Sequence, residues 1–142
     1  MNNEILEKKD DMAQQLKDHR LKATSQRIAV LSILKESKDH PSAEMVMDQL
    51  RQRGIHMSFA TVYNVLETFV EAGLIAKLAG CDEIMRFDYN TDFHIHLYDS
   101  DTGAIRDHID ETFCEYLSDY VKNHLALTKN IEKIDLFVQI KN

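Results

Sequence analysis

Apolar positions recur with helical spacing through the first half of the chain and alternate in strand fashion through much of the second. A first helix is predicted from about residue 3 to 18, with Ile5, Leu6, Met12, Ala13 and Leu16 as an irregular apolar stripe. Thr24 or Ser25 is placed to cap a second helix, whose apolar face is Ile28, Val30, Leu31, Ile33 and Leu34. His40-Pro41-Ser42 interrupts the pattern, and Ser42 opens a third helix with Val46, Met47 and Leu50 inward, ended by Gly54. Ser58 caps a fourth helix that Gly73 stops; its Val62, Val65, Leu66, Phe69 and Val70 follow i, i+3, i+4, i+7, i+8. The segments LIAKLAG and IMRFD then read as two short strands around a turn at residues 80–83. This order fits a winged helix-turn-helix, and a generic small helical bundle with a hairpin has the same periodicity.

In the second half, FHIHLY alternates, so His94 and His96 share one face and Ile95 and Leu97 the other. Asp99-Ser100-Asp101-Thr102-Gly103 is a turn, and a returning strand begins at residues 104–106. Residues 110–124 carry Phe113, Tyr116, Leu117, Tyr120 and Val121 on one helical face, read as core, with Cys114 at its edge as a packed thiol. Ile134, Leu136, Val138 and Ile140 alternate in a last strand. About 50 residues of such structure make a meagre core, and pairing with a second copy is the expected remedy. The fold class expected is therefore α+β: a winged helix-turn-helix domain over residues 1–87, a hinge at 88–92 and a small α/β dimerisation and metal-binding domain over 93–142.

Composition narrows the function classes. The 142 residues are 44% hydrophobic and 29% charged, with one Pro and four Gly, as in ordinary globular proteins. No run of about 18 apolar residues is present, so no membrane partner is expected. The first twenty residues lack the apolar stretch of a secretory signal. Two cysteines, Cys81 and Cys114, make neither a disulfide framework nor a CxxC site, and a cytoplasmic location is expected. Cys81 is expected to be exposed in the hairpin turn. The net charge of −7 by itself argues against nucleic acid. Its distribution argues otherwise. Residues 17–77 hold nine basic and seven acidic side chains, a net of +2, whereas residues 78–119 hold two and eleven, a net of −9. The exposed side of the fourth helix's first turns offers Ala60, Thr61, Tyr63 and Asn64, with no acid before Glu67. Such a surface can enter a major groove.

Candidate chemistry concentrates in Asp88, His94, His96 and Asp107. Two imidazoles at i and i+2 on a strand can reach one ion, and two nearby carboxylates can complete a nitrogen and oxygen shell suited to Fe²⁺, Mn²⁺ or Zn²⁺. The same pattern fits an exposed strand with incidental histidines. It also fits the facial triad of a non-haem iron enzyme, which would need an eight-stranded barrel. His19, His56, His108 and His124 have no partner spacing. A winged-helix module that binds only protein stays open as well.

LKATSQRIAVLSIL, HPSAEMVMDQLRQRG and MSFATVYNVLETFVEAGLI, in that order, resemble the DNA-binding half of the ferric uptake regulator superfamily, and RFDYNTDFHIH with GAIRD extends the resemblance across about residues 15–140. The resemblance implies a winged helix followed by a dimerisation domain, a homodimer on an AT-rich palindromic operator, and one regulatory divalent ion per protomer. The ligands it implies are His40, identified by its His-Pro-Ser-Ala-Glu context, with Asp88, His94, His96 and Asp107. Fe²⁺ or Mn²⁺ is the implied ion, with Zn²⁺ a possible substitute. Tyr63 and Asn64, with Thr61 nearby, would face base edges, and Arg20, Lys22 and Arg27 would contact phosphate.

Asp107 at the return strand, where iron-sensing members usually carry Glu, resembles the peroxide-sensing branch. There Fe²⁺ reacts with H₂O₂ and a ligand imidazole is oxidised, releasing the repressor from DNA; by analogy His40 and His94 would be the oxidised residues here. An iron, zinc or manganese homeostasis regulator is the alternative within the family; either way the protein is not an enzyme. The family's structural zinc uses paired CxxC motifs. The first falls here at Asp99 and Thr102 and the second would lie beyond Asn142, so no Cys₄ zinc is expected. A further site that some family members use, with an acid near Cys114 and a His near Glu132, is not expected here.

Overall fold

The computed structural model describes residues 2–79, 82–125 and 134–142. The chain divides into two compact units, Met1–Thr91 and Asp92–Asn142.

The first unit contains α1 (Asn2–Asp18), α2 (Ser25–Glu36), α3 (Ala43–Gln52) and α4 (Phe59–Glu71), followed by the antiparallel strands β1 (Ala76–Ala79) and β2 (Met85–Asp88). Local chemistry sets the helix starts. The hydroxyls of Thr24, Ser42 and Ser58 accept the amides of Arg27, Met45 and Thr61, relieving one orphan donor at each N-terminus. At the ends of α3 and α4, Gly54 and Gly73 take φ of +73°, which lets Ile55 and Leu74 donate back to Leu50 and Phe69. The end of α1 makes the same closure through Arg20 at φ +61°, without a glycine. Leu31, Ile33, Val46, Leu50, Leu66, Phe69 and Phe87 are among the fully buried side chains of one continuous core.

The stripe expected along α1 is only partly buried. Met12 and Leu16 are covered, but Ile5 and Leu6 are 55% and 57% exposed. Asp11 pairs at 2.7 Å with Lys35 in the last turn of α2, so the turns of α1 before Asp11 lie past the end of the helix that covers the rest.

The second unit contains β3 (Ile95–Asp99), β4 (Ile105–His108), α5 (Glu111–His124) and β5 (Leu136–Ile140). Its sheet runs β4-β3-β5, with β3 antiparallel to β4 and parallel to β5. Asp99 Oδ1 accepts the amides of Asp101 and Thr102, and Ser100 bonds Ile140 O, so the β3–β4 turn is closed by backbone and carboxylate. Tyr98 and Ile105 are its buried hydrophobics among the described residues. The face of α5 expected as core is not core in the single chain: no residue of α5 is buried, and Tyr116 and Tyr120 are exposed. Cys114, expected as packed, is half-buried with its thiol donating to Phe93 O at 3.5 Å. Val138 and Ile140 are also exposed. One helix cannot cover both the sheet and its own flank in a unit this small, so apolar surface is left facing out. The positions of Cys81 and Glu132 lie outside the described residues. Among the described residues, two sheets of two and three strands leave no place for the barrel that an oxygenase triad would need. Among the described residues, no helix is long and apolar enough to cross a membrane.

Candidate functional site

In the first unit, the loop between α2 and α3 brings His40 to the end of β2. His40 Nδ1 lies 3.4 Å from Asp88 Oδ1, and both residues are buried. The loop is fastened to β2 by two bonds: Phe87 N–H donates to Pro41 O at 3.0 Å, and Arg86 Nη1 donates to His40 O at 3.1 Å. Asp88 is itself oriented, because its Oδ1 accepts the Asn90 amide at 2.9 Å.

In the second unit, pairing of β3 with β4 sets His96 opposite Asp107. His94 Nε2 and His96 Nδ1 approach the same carboxylate oxygen, Asp107 Oδ1, at 3.2 and 3.4 Å. The two rings meet edge to face, with centroids 4.4 Å apart. Phe137 of β5 stacks on His96 at 5.0 Å. The ligand atoms of His94, His96 and Asp107 all lie within 4.8 Å of one another.

The donor and acceptor inventory decides what this arrangement suits. His94 Nδ1 lies 2.6 Å from Asp92 O, and a carbonyl only accepts, so Nδ1 carries the proton. In the neutral ring Nε2 is then a lone-pair acceptor directed at a carboxylate, which is also an acceptor. Acceptors that converge this closely need a proton or a cation among them. Both imidazoles are buried, and charging both is costly. A divalent cation satisfies all three groups at once, and a backbone carbonyl orienting the far nitrogen of a ligating imidazole is the usual support for one. The residues present therefore fit a metal ion with nitrogen and oxygen ligands.

The residues expected on nucleic acid lie in the first unit. Thr61, Tyr63 and Asn64 fall in the first two turns of α4, which has no acid in its opening turn, so its positive dipole end is uncompensated. Tyr63 and Asn64 are exposed, whereas Thr61 is half-buried with its hydroxyl 2.8 Å from Ser58 Oγ. Tyr63 stacks on Phe59, centroids 6.2 Å apart, and Lys77 Nζ stands 5.9 Å from the Tyr63 ring centre. Glu67 is held below the ordinary carboxylate range, chiefly by its hydrogen bond from Lys77, and Lys77 is raised in turn. Arg20 and Lys22 are exposed; Arg27 is half-buried, and its Nη1 is spent on Lys22 O at 3.1 Å. Two features escaped the sequence reading. Phe59, 46% exposed at the first helical position, extends the aromatic surface, and its i, i+4 spacing to Tyr63 is the signal that could have found it. Arg86 carries no comparable local signal.

A sequence model described as the ferric uptake regulator family matches residues 18–135. The chain is 39% identical over 92 residues to a peroxide operon regulator of Bacillus subtilis, a match covering 65% of this chain and 63% of that protein. It is 36% identical over 87 residues to a peroxide-responsive repressor of Staphylococcus aureus, covering 61% and 59%. The matches thus span about three-fifths of the length of these curated relatives. Among solved structures, a Campylobacter jejuni peroxide stress regulator superposes with a TM-score of 0.70 at 30% identity, over 92% of this chain and 96% of that one. The Vibrio cholerae ferric uptake regulator superposes with a TM-score of 0.74 at 26% identity, over 92% and 98%. The α+β layout of a winged helix followed by a small three-stranded α/β unit is shared with these structures.

Proposed function

The chain belongs to the ferric uptake regulator family, and on that premise we propose that it is a metal-dependent DNA-binding repressor that responds to peroxide. The observation that carries the reading is the convergence of His94 Nε2 and His96 Nδ1 on one oxygen of Asp107. An aspartate at that place, in a chain similar to peroxide-responsive repressors, supports the peroxide branch over metal homeostasis.

His40, Asp88, His94, His96 and Asp107 are the proposed ligands of one regulatory ion, Fe²⁺ or Mn²⁺, with Zn²⁺ able to substitute. Bound Fe²⁺ would supply reactivity toward H₂O₂. The chain's own groups do the rest. Asp92 O holds the His94 tautomer so that Nε2 faces the ligand cluster. Arg86 and Phe87 hold the His40 loop. With ligands drawn from both units, cation binding would restrict how a homodimer presents its two α4 helices to successive major grooves of an AT-rich palindrome. Tyr63 and Asn64 would meet base edges, with Thr61 beside them, and Arg20, Lys22 and Arg27 would meet phosphates. Oxidation of His40 or His94 adds one oxygen at a ring carbon, a two-electron loss by the imidazole, while H₂O₂ is reduced to water. The altered ring is a poor ligand and the repressor dissociates. The protein is consumed in that step, so the function is regulation and not turnover.

Fluorescence anisotropy on an AT-rich palindromic duplex tests the first half, with Mn²⁺-dependent binding expected. Mass spectrometry after loading with Fe²⁺ and adding sub-stoichiometric H₂O₂ tests the second, with a one-oxygen gain expected on the His40 or His94 peptide together with loss of DNA binding. Metal-dependent binding with both peptides unmodified would assign the protein to metal homeostasis. Absence of any metal-dependent DNA binding would refute the repressor reading.

A further inference from the structure

Beside the Phe87–Pro41 backbone bond and the His40–Asp88 approach, one further side chain ties the hairpin β1–β2 to the loop that carries His40. Arg86 on β2 is 9% exposed. Its Nη1 donates to His40 O at 3.1 Å, 46 residues back in the chain, and its Nη2 donates to Asp82 Oδ2 at 2.9 Å. Asp82 belongs to the connection between β1 and β2, and its Oδ1 accepts the Ile84 amide at 3.2 Å, so the carboxylate is fixed at both oxygens. Arg86 Nε has no hydrogen-bond partner among the described residues. The two Nη groups therefore carry the whole polar role of a nearly buried cation.

A buried guanidinium is costly unless its charge is matched, and Asp82 matches it. The guanidinium is a rigid planar fork, so fixing one arm on Asp82 fixes where the other arm meets the His40 carbonyl. We propose that Arg86, anchored by Asp82, is a positioning residue for the metal centre: it sets the backbone of His40 and so the placement of the imidazole that faces Asp88. The proposal rests on the reading of His40 as a ligand. Ligand placement tolerates only about half an ångström of error, and groups that support a ligand from behind typically matter tenfold or more to metal affinity. The same linkage makes the hairpin turn and the His40 loop one mechanical element. A contact that moves Asp82 acts on metal affinity, and metal binding acts back on the turn to the same extent.

Co²⁺ titrations of the full chain, followed by visible absorbance, test this. Arg86→Gln is expected to weaken Co²⁺ binding about tenfold and to shift the d–d bands. Asp82→Asn, which leaves Arg86 in place, is expected to change both readouts in the same direction by a smaller factor. Arg86→Lys restores part of the affinity, because an ammonium reaches one of the two acceptors but cannot span both. Circular dichroism and melting curves establish that each variant is folded; should Arg86→Gln not fold, Asp82→Asn carries the test. Wild-type affinity and spectrum in Asp82→Asn overturn the proposal, provided His40→Ala still binds Co²⁺ more weakly. If His40→Ala also binds like wild type, the ligand reading itself has failed and the role of Arg86 falls with it.

Discussion

The proposed ligand set, which draws on both units, makes a calorimetric prediction that a site confined to one unit does not. The first unit has a continuous core, whereas the second buries two hydrophobic side chains among its described residues and none on α5. Without metal, two unfolding transitions are expected, the lower one belonging to Asp92–Asn142. At a free Mn²⁺ concentration one hundred times its Kd, binding stabilises the folded state by about 2.7 kcal/mol. How far that moves a transition depends on how much chain melts with the site. At roughly 2.1 cal/mol/K per residue, the unfolding entropy of a unit the length of Asp92–Asn142 is about 0.1 kcal/mol/K, and that of the whole chain about 0.3 kcal/mol/K.

If His40 and Asp88 share the ion with His94, His96 and Asp107, Mn²⁺ links the two units. The transitions are then expected to merge, and the merged one to rise by about 9 °C. If only the second unit binds, its own transition rises by roughly 25 °C and the other stays in place. Scanning calorimetry at fixed protein concentration separates the two cases. Replacing both His40 and Asp88 by Ala should convert the first pattern to the second. Two separate transitions in wild-type protein with saturating Mn²⁺, with only the lower one displaced, would refute a ligand set drawn from both units.

Further predictions follow from single residues. Replacing Arg20, at φ +61°, by Gly removes a left-handed non-glycine residue and is expected to stabilise the chain by about 1 kcal/mol in urea melts, while lowering the salt slope of DNA binding by about one; a destabilised variant would show that Arg20 makes a contact worth more than its strain. Glu67, depressed by Lys77, contributes stability that is present above its ordinary 4.5 and lost as pH falls through its lower folded value. Glu67→Gln should therefore cost up to about 1 kcal/mol at pH 7 and progressively less as pH falls below 4.5, so a urea midpoint difference that does not shrink in acid would contradict the pairing. Tyr116, 64% exposed on α5, is expected to be covered by a second copy. Tyr116→Asp should raise the dimer Kd more than about a hundredfold in sedimentation velocity, and an unchanged profile would place the interface elsewhere.

What could be read from the sequence is what local chemistry decides. Thr24, Ser42 and Ser58 cap their helices through atoms three residues away, and Gly54 and Gly73 end theirs by a backbone freedom visible in the residue type. That His94 and His96 share a face follows from strand alternation. Their approach to Asp107 needs the β3–β4 register, which the turn at residues 99–103 sets. Long-range closures left less trace. The meeting of His40 with Asp88 depends on Phe87 donating to Pro41, and the Arg86 fork spans 46 residues, so no window of sequence contains either. Periodicity also names a face without naming what covers it. Ile5 and Leu6 outrun α2, and Tyr116 and Tyr120 outrun the sheet, although each sits where an apolar stripe places it.

The charge of the chain gains meaning once it is divided by unit. Residues 1–91 hold 12 basic and 14 acidic side chains and residues 92–142 hold 5 and 10, giving −2 and −5, which sum to −7. Within the first unit, Glu67 and Asp82 are already answered by Lys77 and Arg86, and Asp11 by Lys35. Asp88 and Asp107 are the acids in the proposed ligand set, and one divalent cation cancels both. Each protomer then approaches DNA at −5 in place of −7, and a dimer gains four charges' worth of relief from phosphate repulsion. That relief is screened by salt, whereas the geometric effect of cross-unit ligation is not. On the proposed reading, cation binding would favour DNA twice over, once by shape and once by charge, and only the second of these would fade as ionic strength rises.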